Sequence, residues 1–85
     1  MPEVSRFYGI IVTMFYDEHN PPHFHVQYGE HRALVNIRDG YIKGALPRRV
    51  LNLTYEWLDL HREELLENWK RMESEQNFKS IDPLS

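Results

Sequence analysis

The feature that most constrains this chain is the stretch from Arg48 to about Glu73, where apolar residues recur with a helical period. At about 100° per residue, Leu51, Leu58, Leu65 and Trp69 fall close together, flanked by Val50, Trp57, Leu66 and Met72. Asn52, Glu56, Asp59, Glu63, Glu67 and Lys70 fall on the opposite side. Pro47 pre-sets the first turn through its fixed φ. Such a helix is about 39 Å long at about 1.5 Å per residue, enough to cross a whole small sheet. Its apolar face needs that sheet, and the residues before it supply one.

The run "RFYGIIVTMFY" from Arg6 to Tyr16 puts Phe7, Ile11 and Phe15 on one side and Tyr8, Ile10, Val12 and Met14 on the other. Aromatic and β-branched residues on both sides predict a central strand covered on both faces. Asn20 precedes Pro21 and Pro22, so Asp17 to Pro22 is a loop. From His23 to Tyr28 the chain alternates, with Phe24, Val26 and Tyr28 facing one way and His23, His25 and Gln27 the other. Gly29 and Glu30 suit a tight turn. "HRALVNIR" places Ala33, Val35 and Ile37 on one face, and Asp39-Gly40 signals a hairpin into "YIKG". The expectation is a single α+β domain over residues 1–85: an antiparallel meander of about four strands within about 6–44, packed against one long C-terminal helix over about 47–73. A tail follows over 74–85, where Phe78, Ile81 and Leu84 recur at three-residue spacing, suited to docking back or meeting a partner.

At 85 residues the chain is near the lower end of what buries a self-sufficient core. Its surplus aromatics leave the second sheet face for another protomer or a partner protein. No apolar run approaches the roughly 20 residues that span a bilayer, so no membrane association is expected. Cysteine is absent, which excludes disulfides, thiolate nucleophiles and thiolate metal sites and fits a reducing compartment. The start "MPEVSRFYG" lacks a basic segment followed by an apolar one, so the expected location is cytoplasmic. The formal charge is −3 with histidine neutral, and protonating all five histidines would bring it to +2. Global charge therefore argues against general nucleic-acid affinity, although a local basic patch is compatible with nucleic-acid binding.

Chemistry concentrates in "DEHNPPHFHVQYGEHR", which holds four of the five histidines. In a strand His23 and His25 project from one face about 6.6 Å apart. Imidazoles near neutrality accept and donate protons, and Arg32 on the next strand offers an anion contact, so His23, His25 and Arg32 are the candidate catalytic residues. Together they resemble the kit of a phosphodiesterase. Arg38, together with Arg48 and Arg49 in the first helical turn, where the dipole disfavours cations, are candidates for binding an anion or a partner's carboxylates. No cofactor and no metal are expected. Were a metal held, His19, His23 and His25 would be its ligands, with Asp17 in reserve. Each of these patterns is also what a solvated sheet edge or helix face shows. His61, inside the apolar arc, suits a residue bonded at the edge of the core.

The phrases "RFYGI", "PPHFHV" and "HREELLENW", within a resemblance covering nearly the whole chain, are similar to those of the small bacterial family catalogued as domain of unknown function 4160. That family brings no catalytic residues to carry over. Its genes often lie beside those of another small family, domain of unknown function 2442, in an arrangement resembling a toxin–antitoxin cassette. The resemblance therefore implies an interaction module whose partner is encoded nearby, or which self-associates. A histidine-dependent ribonuclease and a nucleic-acid-binding regulator are the alternatives.

Overall fold

In the computed structural model, which describes residues 2–85, the apolar run from Arg6 to Tyr16 is a hairpin and not one central strand. Strand β1 (Glu3–Phe7) turns at Tyr8 and Gly9 into β2 (Ile10–Thr13). Both turn residues have positive φ, 50° and 80°, the backbone of a two-residue turn whose twist matches the flanking strands. Phe7 pairs with Ile10, so the turn resets the alternation. Phe7, Ile10 and Val12 then share the core side, while Arg6 and Ile11 lie opposite. The run looked two-sided because it is two strands.

Three further strands follow: β3 (His23–Tyr28), β4 (His31–Asn36) and β5 (Ile42–Gly44). The sheet thus has five strands where about four were expected, in the order β1-β2-β3-β4-β5, every neighbouring pair antiparallel. The registers line up Val12, Val26 and Ala33 in one row and Phe24, Val35 and Ile42 in another. Helix α1 (Arg48–Glu73) lies over these rows. The Trp57 ring sits 5.4 Å from that of Phe7 and 5.7 Å from that of Phe24. Val50, Leu58, Leu65, Trp69 and Met72 complete the buried face. The helix bends at His61, whose φ of −123° and ψ of 19° leave helical geometry. The next residue, Arg62, donates from Nε to the Ile37 carbonyl at 2.8 Å.

Two polar residues are buried in the helix. Thr54 donates to the Val50 carbonyl at 2.7 Å. Asn68 clasps the tail, donating to the Lys79 carbonyl at 2.8 Å and accepting from the Lys79 amide at 2.9 Å. The tail then runs beside β1, with the Ile81 amide donating to the Val4 carbonyl at 2.8 Å and the Trp57 indole donating to the Asp82 carbonyl at 2.9 Å. Ile81 and Leu84 are buried there, so the three-residue spacing reflects docking onto the protein's own core. At the far edge, β5 comes so close to β4 that a Cβ on Gly44, whose φ is 117°, would lie 2.6 Å from the Arg32 carbonyl oxygen.

The other side of the sheet carries Ile11, Gln27 and Arg32 in one cross-strand row and Thr13, His25, Leu34 and Lys43 in the next. Ile11 and Leu34 are half-buried and lie outside the core cluster. Among the described residues there is no second helix or sheet to cover this face. No helix is long and apolar enough to cross a membrane.

Candidate functional site at the β2–β3 loop

Pro21 and Pro22 deliver the chain into β3, and two contacts hold that entry in place. The Ile37 amide donates to the Pro22 carbonyl at 3.0 Å, and the Trp69 indole donates to Asn20 Oδ1 at 3.1 Å. The histidines that follow are consequently fixed in direction. His23 Nδ1 donates to the Pro21 carbonyl at 2.9 Å, and its ring lies 5.1 Å from the Trp69 ring. His25 meets the edge of Phe15, with ring centres 4.7 Å apart. The two imidazoles are 5.5 Å apart, centre to centre, as alternation along one strand face requires.

The loop folds Glu18 back onto both rings. Glu18 Oε1 lies 2.5 Å from His25 Nε2 and 3.4 Å from His23 Nε2. Burial pulls the Glu18 carboxyl upward, but the hydrogen bond from His25 and the charges of both histidines outweigh it and hold the group below its ordinary value. In its charged form His23 points an Nε2 proton at that carboxylate; in its neutral form the Nδ1 proton stays bonded to the Pro21 carbonyl and Nε2 presents a lone pair instead. Two acceptors then face each other at 3.4 Å, a gap that a proton or a cation fills.

Glu18, His23 and His25 are each partly buried, and their ligand atoms lie within 4.8 Å of one another. Among the described residues, they are the group placed to hold a metal. His19 and Asp17 are exposed and stand outside this group, so the third donor comes from the position between them. Arg32 and His25 line one shallow hollow on the open sheet face, with Thr13, Phe15 and Gln27. His23 does not reach it, having turned toward Trp69. Arg38 is exposed in the β4–β5 turn. Arg48 and Arg49 lie at the start of α1, roughly 30 Å along the helix axis from Trp69 and its histidine partner, and do not join the site. His61 Nδ1 donates to Glu64 Oε1 at 2.6 Å, a carboxylate contact on its own helix.

The structure thus defines a two-layer α+β protein, an open-faced antiparallel meander under one helix, with a His-His-Glu cluster at the loop end of its third strand. Its sequence belongs to the family described as Domain of unknown function (DUF4160), which matches residues 9–70 and so spans β2 to β5, the histidine cluster and most of the helix. Neither the curated proteins nor the solved structures give a match.

Proposed function

We propose that the protein is the binding module of a toxin–antitoxin-like two-gene pair, and that it receives its partner on the open face of the sheet. The observation carrying this reading is the uncovered sheet face itself, which bears the half-buried Ile11 and Leu34 in adjacent rows on β2 and β4, with Arg32 and Lys43 at the ends of those rows. Arg6 is matched by Glu3 at 2.7 Å, whereas Arg32 and Lys43 form no ion pair among the described residues. A partner with an apolar contact surface and an acidic rim complements such a face. The test is co-expression with the neighbouring gene product, of the kind described as domain of unknown function 2442. Co-purification that is lost in Leu34→Asp and weakened in Lys43→Glu supports the reading. Co-purification that ignores both substitutions sinks it.

A second reading is favoured by one specific observation, the contact of Glu18 with His25 beside Arg32. A carboxylate that orients an imidazole, next to a guanidinium able to hold phosphate, is an arrangement suited to phosphodiester cleavage. The two readings separate on a pair of substitutions. Glu18→Gln, at a residue off the cross-strand rows of the open face, abolishes a growth phenotype that depends on cleavage, whereas Leu34→Asp abolishes one that depends on partner capture.

A further inference from the structure

We propose that Glu18, His23 and His25 form a three-ligand site for a transition-metal ion of the zinc class, with a fourth coordination position open to solvent or to an incoming group. Two neutral imidazoles and one carboxylate are a donor set that such ions take in sites keeping an open position. The set shares His25 with the open sheet face, but it is argued from ligand geometry alone and does not need the partner-binding reading to hold.

Three features of the geometry support it. Ligand atoms at about 2.0–2.1 Å from a tetrahedral ion stand about 3.3 Å apart, and the 3.4 Å between His23 Nε2 and Glu18 Oε1 already matches that spacing. The 2.5 Å between His25 Nε2 and the same oxygen is a hydrogen bond that Nε2 donates, so to admit an ion it must open by about 0.8 Å and the Nε2 proton must pass to Nδ1 or to solvent. Glu18 sits in a loop, where a shift of that size is accommodated without moving the sheet. The second feature is the Pro21 carbonyl on His23 Nδ1 at 2.9 Å, which fixes the tautomer that leaves Nε2 free to ligate. The third is access: the three side chains are 28 %, 16 % and 33 % exposed, in the order Glu18, His23 and His25, so an ion can enter without unfolding.

The experiment uses the untagged full chain, stripped with chelator and titrated with Zn²⁺ by calorimetry and with Co²⁺ by visible absorption. The expected result is one ion per chain, with the absorption of a four-coordinate Co²⁺ centre and with histidine NMR signals perturbed at His23 and His25 but not at His31 or His61. Glu18→Gln, His23→Gln and His25→Gln each weaken Zn²⁺ by more than the roughly 10–100-fold that loss of an outer-shell partner costs. His19→Gln leaves the affinity unchanged. Circular dichroism of each variant separates a lost ligand from a lost fold, and the NMR shifts of the unmutated chain stand without any variant. Absence of uptake at stoichiometric metal, uptake unaffected by His25→Gln, or uptake abolished by His19→Gln overturns the proposal.

Discussion

Leu34 and Val35 are adjacent on β4 and point to opposite sides of the sheet, so one pair of substitutions tests both the fold and the proposed interface. Val35 is fully buried, with Phe24 and Ile42 as its cross-strand neighbours. Val35→Asp removes about 1.5–3 kcal/mol of apolar burial and places a carboxylate where nothing pairs with it, at a further cost of several kcal/mol. The total reaches the roughly 5–15 kcal/mol that a whole domain possesses, so this variant is expected to be unfolded. Leu34 is half-buried and has His25 and Lys43 as its cross-strand neighbours. Leu34→Asp loses about 1 kcal/mol of burial and up to about 1 kcal/mol of strand preference, offset by about 0.2–1 kcal/mol from its opposite-charge neighbour Lys43. Its net cost should be about 1 kcal/mol. Urea denaturation followed by tryptophan fluorescence measures both, with an unchanged slope against urea for Leu34→Asp. A Leu34→Asp variant as unstable as Val35→Asp would mean that something covers the second face. A stable Leu34→Asp variant that still captures the partner at full affinity would refute the interface.

Other substitutions report on the frame that holds the site. Gly44→Ala should cost about 1–3 kcal/mol, because φ of 117° is a region essentially reserved for glycine and the new Cβ meets the Arg32 carbonyl; thermal melts read the loss. Asn68→Ala removes two hydrogen bonds to Lys79 and should cost about 1–3 kcal/mol, with faster amide exchange in the tail as its local signature. Chelator should leave the protein folded, because Glu18, His23 and His25 lie outside the core cluster, while Zn²⁺ at about 100 times its Kd should stabilise by about 2.7 kcal/mol and raise Tm.

Periodicity made the helix, β3 and β4 legible because each buries one face against one partner layer, and the burial follows the sequence period. Phe24 and Val26, or Ala33, Val35 and Ile37, announce their side without any tertiary information. The first hairpin was hidden because Tyr8 and Gly9 interrupt an apolar run by only two residues, and the phase reset at Phe7 and Ile10 looks like one strand with two apolar faces. The clue was Gly9, whose φ of 80° suits glycine. Glu18 was missed for a different reason. Loop residues follow no period, and whether Asp17, Glu18 or His19 folds onto the histidines depends on Pro21, Pro22 and the Trp69 anchor. Asn68 lay unremarked among polar helix residues because its partner, Lys79, sits in a tail whose backbone course no pattern encodes.

His25 joins the two halves of the functional argument. Its Nε2 faces Glu18, and its backbone register sets it directly across from Leu34 on the face proposed to receive a partner. Cross-strand Cβ atoms stand about 4.5–5.5 Å apart, so a partner packed on Leu34 touches the His25 ring or shields it from water. An ion held by His25 would in that case be bound more tightly, or less, when the partner is present, and linkage requires the partner's affinity to change by the same factor when the ion is present. Zinc titration of the free chain and of the complex, with partner titration of the stripped and the loaded chain, gives the two factors independently. They should agree and differ from one. Two factors of one would place the metal and the partner on energetically separate surfaces, and the adjacency of His25 and Leu34 would then carry no functional meaning.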